Sequence, residues 1–239
     1  MTQPAEDLIW AESCAKTSLK TLILSDVHYP TGVSRTCFQI IREEKPDIVV
    51  LLGDVVVGHG QRVLGNMRGF FERYPHPLER SVVVLGDNEF RGDRRVLEFV
   101  SGLPKLNSDP FTHRFGNMFF AHGNVEGRGW FSALLEEAGG FAARLLKPLT
   151  PRLVSAVARL EYRVGSEFYS FLGHIHYLGY VKATRTTFCG TLSTKKMVYG
   201  LEESLGYVVV NHSNNGFVRE DGIQLVRVDA GRNGHRGHV

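Results

Sequence analysis

An α/β domain built on two packed β-sheets is the fold class that this 239-residue sequence predicts. Three observations predict it. Short apolar runs alternate with stretches of helical period over roughly residues 19–104. Each of those runs ends in a cluster of Gly, Asp or His. The C-terminal third then carries several β-rich runs with no helix between them.

The first run, Leu19–Leu24, ends at Ser25-Asp26-Val27-His28, with Tyr29-Pro30 as a turn. Ser34 is placed to cap a helix presenting Cys37, Phe38, Ile40 and Ile41 and stopping near Pro46. Ile48–Leu52 is apolar throughout, as a strand buried on both faces is, and ends at Gly53-Asp54. A helix covers about 62–73. Ser81–Leu85 repeats the buried-strand pattern and ends at Gly86-Asp87-Asn88-Glu89. Asp93 caps a helix carrying Val96, Leu97, Phe99 and Val100, with Gly102 and Pro104 as its stop. This β-α-β-α-β order predicts a parallel sheet, and ligands of open α/β sheets sit at the carboxyl ends of the strands.

In the second half, Phe119–Ala121 ends at His122-Gly123, and Tyr169–Leu172 ends at Gly173-His174-Ile175-His176. The runs Thr186–Phe188, Lys195–Tyr199, Tyr207–Val210 and Gly222–Val228 read as a second, mostly antiparallel sheet packed on the first. Residues 1–18 read as an N-terminal arm and 19–229 as one domain with a helical insertion at about 124–165. The Gly-rich stretch 230–239 reads as a flexible tail.

Composition narrows the function classes. Hydrophobic residues at 43% and charged residues at 22% are ordinary for a globular chain and argue against disorder. No apolar run approaches the ~18–20 residues that cross a bilayer. The acidic N-terminus lacks the basic and apolar regions of a secretory signal. Three widely spaced cysteines fit a reducing cytosol, so a cytoplasmic location is expected. A net charge of +3 is too balanced for a dedicated nucleic-acid binder.

Asp26-x-His28 and His174-x-His176 share a spacing of two, which in an extended chain points both side chains the same way. Asp54, Asp87 and His122 end other strands and converge on the same edge. Three carboxylates and four imidazoles suit manganese, iron or zinc and are too rich in nitrogen for calcium. Seven ligands exceed the needs of one tetrahedral ion and suit two ions sharing a carboxylate.

The ordered series DxH, GD, GDNE, HG and GHIH resembles the calcineurin-like metallophosphoesterase family over roughly residues 19–229. The resemblance implies a four-layer α/β/β/α sandwich of two mixed sheets and a dinuclear centre, manganese being favoured over iron or zinc. It implies that Asp26, His28 and His176 hold one metal, that Asp87, His122 and His174 hold the other, and that Asp54 bridges. It further implies hydrolysis of phosphomono- or phosphodiesters by in-line attack of a metal-bridging hydroxide. A catalytically weak or inactive scaffold of the same fold, binding protein partners, is the alternative.

Two positions depart from the family pattern. Its usual Asn is Asp87 here, so three carboxylates stand where two are usual, and the centre is less positive. Slower turnover and a higher pH optimum are expected. The family's common catalytic His is Asn88, which donates a hydrogen bond but supplies no proton at neutral pH. That biases the expectation toward aryl or nucleotide esters, with His59 as a substitute proton donor. Arg91, beside Arg94 and Arg95, is placed to hold substrate phosphate.

In the insertion, Thr150 caps and Leu153, Val157 and Leu160 form an apolar stripe, with Arg152, Arg159 and Arg163 on another face. Such a helix could buttress the second sheet, close over an acidic substrate, or rest peripherally on a membrane.

Overall fold

The structure, a computed structural model, describes residues 18–31, 35–58, 61–90, 94–123, 150–193, 205–228 and 236–238. The first sheet has β1 (Ser18–Leu24), β2 (Ile48–Leu52) and β3 (Ser81–Val84) in parallel. On the other side of β1 follow β9 (Gly206–Ser213), β10 (Val218–Val228) and β11 (Arg236–His238), each antiparallel to its neighbour. The second sheet runs β4 (Thr112–Phe115), β5 (Met118–Ala121), β6 (Tyr169–Leu172), β8 (Thr186–Cys189), β7 (Leu178–Val181). Its centre, β5-β6-β8, is parallel, and β4 and β7 are antiparallel edges.

Five α-helices are described: α1 (Arg35–Glu44), α2 (Gln61–Phe71), the single turn α3 (Asp87–Phe90), α4 (Arg94–Ser101) and α5 (Thr150–Glu161). Cys37, Ile40 and Ile41 recur at i, i+3 and i+4, so α1 turns one apolar stripe to the sheet. It ends where Lys45 turns left-handed, at φ 47°.

The period-2 alternation of the strands makes the layers. Leu22, Leu24, Val49 and Leu51 face a core shared with Cys37, Ile41, Met67 and Phe70 of α1 and α2. Ile23, Val50, Leu52, Val82 and Val84 face the other way, into a core shared with Met118, Phe120 and Phe171. Phe119, Ala121, Leu172 and Phe188 cover the outer face of the second sheet with Ala158 of α5. Each Val, Leu, Ile, Met or Phe among them, fully buried, contributes roughly 1.5–3 kcal/mol. The result is the expected α/β/β/α sandwich of two mixed sheets.

Three expectations are corrected. Tyr207–Val210 and Gly222–Val228 lie in the first sheet, not the second. Tyr207, Val208, Val209 and Val210 are all buried because β9 sits inside that sheet, beside β1, with a core on each face. The second sheet is mixed with a parallel centre, rather than mostly antiparallel. In α5 the inward face is Pro151, Ser155 and Ala158, while Leu153 and Leu160 are 44% and 78% exposed.

Arg159, expected on a face apart from the apolar stripe, binds the carbonyls of Phe168 (3.1 Å), Thr184 (2.7 Å) and Gly165 through its guanidinium. It is a clamp between α5 and the second sheet. Lys195–Tyr199, Ser34, Asp93 and residues 124–149 lie outside the described residues. The expected tail contributes the edge strand β11 at Arg236–His238. No helix among the described residues is long and apolar enough to cross a membrane.

Candidate metal centre

All seven expected ligands follow the carboxyl ends of strands, at one edge of the sandwich. Asp26 and His28 follow β1, Asp54 follows β2, and Asp87 opens α3 after β3. His122 follows β5, while His174 and His176 follow β6. The pairs are not extended, however. Asp26, His28, Asp54, His174 and His176 take φ of 51°, 53°, 48°, 67° and 51°. It is thus a left-handed backbone just past the strand, and not strand alternation, that aims each pair inward. Such conformations cost on the order of 1–3 kcal/mol each for residues with a Cβ and cluster at functional sites.

The loops are held by backbone bonds: Asp26 N–H to Gly53 O (3.1 Å), His28 N–H to Asp54 O (2.9 Å) and Tyr29 N–H to Val55 O (2.8 Å). Two glycines permit the close approach. A Cβ on Gly53, itself at φ 74°, would lie 2.3 Å from the His122 ring, and one on Gly86 would lie 2.3 Å from Asp54 Oδ1. This is why Gly precedes Asp in both motifs.

Asp26, His28 and His176 bring one ligand atom each within 4.8 Å of one another, as do Asp87, His122 and His174. A third group, Asp26, Asp54 and His122, joins the two. His176 Nε2 lies 3.2 Å from Asp26 Oδ1 and 3.2 Å from His28 Nε2. His174 Nδ1 lies 3.5 Å from Asp87 Oδ1. His122 Nδ1 is 2.9 Å from the Leu52 carbonyl, which can only accept, so Nδ1 donates and Nε2 is the nitrogen turned toward the site. Nε2 is buried without a hydrogen bond, yet Asp54 Oδ1, Asp87 Oδ1 and Asp26 Oδ1 surround it at 3.5, 3.6 and 4.0 Å. Asp26 Oδ1, also buried, makes no hydrogen bond either. A buried nitrogen and a buried carboxylate oxygen facing one void fit a cation.

The electrostatics point the same way. Burial raises the Asp54 pKa well above the usual carboxylate value, and Glu89, Asp87 and Asp26 add to the rise against His122. For His122, burial acts downward, but Asp54, Asp26 and Asp87 outweigh it and raise its pKa well above the ordinary imidazole value. Asp26 is lowered, because His122, His176 and His28 overcome the effect of burial. The pocket demands positive charge where these groups meet, whether as protons or as cations.

Asn88 donates from its side chain to Asp54 Oδ2 (2.5 Å) and from its backbone to Asp54 Oδ1 (3.0 Å). Its amide orients Asp54 and also lies 3.4 Å from His28 Nδ1. Glu89, which the sequence pattern leaves without a role, is 1% exposed and accepts three backbone bonds. They come from Asp54 N–H (2.9 Å), Val56 N–H (2.9 Å) and Gly86 N–H (2.8 Å). It stitches the second and third motif loops together. Its place inside the GDNE cluster is the one signal a sequence offers for it. His59 and Arg91 lie outside the described residues.

Residues 19–175 match the family described as calcineurin-like phosphoesterase. No curated protein matches the chain. Among solved structures, GAP50, the anchor in the inner membrane complex of Plasmodium, is similar over 94% of this chain and 89% of its own, at 13% identity and a TM-score of 0.55. Vacuolar Protein Sorting 29 from Cryptosporidium parvum is similar over 94% and 99%, at 12% identity and a TM-score of 0.47. Yfce, a phosphoesterase from E. coli, is similar over 84% and 96%, at 15% identity and a TM-score of 0.45. At such identities the likeness speaks for the fold alone.

Proposed function

The chain belongs to the calcineurin-like phosphoesterase family, and from that premise we propose that it is a metal-dependent phosphoesterase hydrolysing small phosphomono- or phosphodiesters. One observation carries the reading: two ligand groups, Asp26-His28-His176 and Asp87-His122-His174, linked through Asp54. When bound, two divalent transition-metal ions, manganese first among the candidates, would supply Lewis acidity and an activated water for attack at phosphorus.

The chain's own residues set the conditions. Asp54 lies between the two groups, and Asn88 fixes its orientation. The Leu52 carbonyl keeps the His122 proton on Nδ1 and so turns Nε2 inward. Asp87 and His174, with side chains 31% and 16% exposed, form the open side by which a phosphate enters. Asn88 has no proton to give a leaving group, so esters with acidic leaving groups, aryl or nucleotide, are the favoured substrates. Two buried free thiols, Cys37 and Cys189, are in keeping with a cytoplasmic location.

A second reading is a scaffold of the same fold that binds protein partners. It is favoured by the departures at Asp87 and Asn88 and by the likeness to GAP50, which is described as an anchor. Metal content of the purified protein, together with turnover of an aryl phosphodiester in added Mn²⁺, separates the two. Bound metal with turnover supports the enzyme, and neither supports the scaffold.

A further inference from the structure

Between the sheets, away from the metal centre, lies a cavity of about 170 Å³. Its floor is Ile48, Val50 and Val82 of the first sheet, and its roof is His113, Phe115 and Phe120 of the second. None of the seven residues of the metal centre lines it, so the two sites are separate. Thr21 also lines the space, where its neighbours Ile23 and Leu19 are aliphatic. Its hydroxyl is committed to His212 Nε2 at 2.7 Å, because His212 Nδ1 donates to the Ser213 carbonyl at 2.8 Å.

Three features define what would fit. An apolar cavity of roughly 150 Å³ suffices to hold benzene, so the volume matches one six-membered ring. The roof is aromatic and layered: His113 stacks on Phe120 with centroids 6.1 Å apart, and Phe120 stacks on Phe171 at 5.1 Å. Among the described residues, Arg114 is the one cation that borders it. Arg114, although its residue borders the cavity, carries its guanidinium over the rings of Phe119 and Phe168, at 5.5 and 5.3 Å, and Phe119 faces the outer core. Burial pushes His113 down to about 4 against the pull of Asp109, so its imidazole is neutral at pH 7, with one donor and one acceptor.

We propose that this inter-sheet cavity binds a neutral, single-ring aromatic molecule, its ring against the edge of Phe120 and its polar substituent toward His113. An anion is disfavoured because its desolvation would go uncompensated.

Phenol is the probe, titrated into the full chain and followed by backbone amide chemical shifts. Saturable binding is expected, with the largest shifts at Val50, Val82, Phe115 and Phe120. Val82→Ile adds one methylene to the wall and is expected to weaken phenol by about tenfold while leaving the folded spectrum intact. Benzoate, of similar shape but charged, is expected to bind at least about tenfold more weakly than phenol. Should Val82→Ile fail to fold, Val50→Ile makes the same comparison from β2. Shifts scattered over the surface, phenol binding indifferent to the wall substitution, or benzoate equal to phenol would each overturn the proposal. The readout is binding, so failure here leaves the phosphoesterase reading standing.

Discussion

His28 and His176, 148 residues apart in the chain, bring their Nε2 atoms to 3.2 Å of each other. Two imidazole lone pairs at that distance repel unless a proton or a cation lies between them or beside both, and Asp26 Oδ1 sits 3.2 Å from the same His176 nitrogen. His176→Ala should therefore lower the bound metal by about one equivalent per chain. Turnover should fall by more than the ~10–100-fold typical of outer-shell changes. Elemental analysis and an aryl phosphodiester assay, with circular dichroism to show that the fold survives, check this together.

Glu89 is the acceptor for three backbone N–H groups, from Asp54, Val56 and Gly86. Glu89→Gln places an amide NH₂ where an oxygen accepted, so at least one buried donor loses its partner. We expect a stability loss of about 3 kcal/mol in urea unfolding. Metal affinity by calorimetry should also weaken by ~10–100-fold, because the Asp54 loop loses its brace. Loss of stability with unchanged metal affinity would reduce Glu89 to a purely structural role.

Asp87 adds a carboxylate where the family's pattern has an amide. Its Oδ1 lies 3.6 Å from His122 Nε2 and 3.5 Å from His174 Nδ1. Asp87→Asn keeps a ligand oxygen and removes a negative charge, so bound water should ionise more readily. Turnover should rise and the pH optimum should move down. A rate–pH profile identical to that of the parent would refute the charge argument.

His113 titrates at about 4 in the fold against an ordinary 6.5, chiefly because burial penalises its charged form. The unfolded chain takes up the proton first. Stability present above pH 6.5 is therefore lost progressively as pH falls toward 4. His212, lowered by burial as well, acts in the same sense. Asp26, lowered from 3.8, contributes stability that is lost only below that range. Denaturation midpoints between pH 7 and 4 should fall less steeply in His113→Gln than in the parent.

Much of the parallel half of the fold was legible because its strands are buried on both faces. A run such as Ile48–Leu52 has no polar alternative that could compete with it. The clusters after each strand were legible for the same reason: polar residues packed against such runs have only the strand ends to occupy. The sheet of β9 was not, since pattern shows burial but not partners. Even so, the continuous Tyr207–Val210 run marks an interior strand.

In α5, the larger Leu153 and Leu160 dominate any periodicity count, whereas the helix turns Ser155 and Ala158 inward. Small residues let the helix approach, and Arg159 reaches the carbonyls beyond. The inward role of Glu89 escaped because one acid among polar neighbours reads as surface. Only the fold shows three N–H groups converging on it.

The left-handed residues of the candidate centre carry a last consequence. Asp26, His28, Asp54, His174 and His176 keep the rim of the sandwich wound like a set of springs, and glycine is the residue that would let each one relax. A His174→Gly chain would thus have a reason to melt later than His174→Ala, although both have lost the same imidazole. Toughness and chemistry pull in opposite directions at this edge.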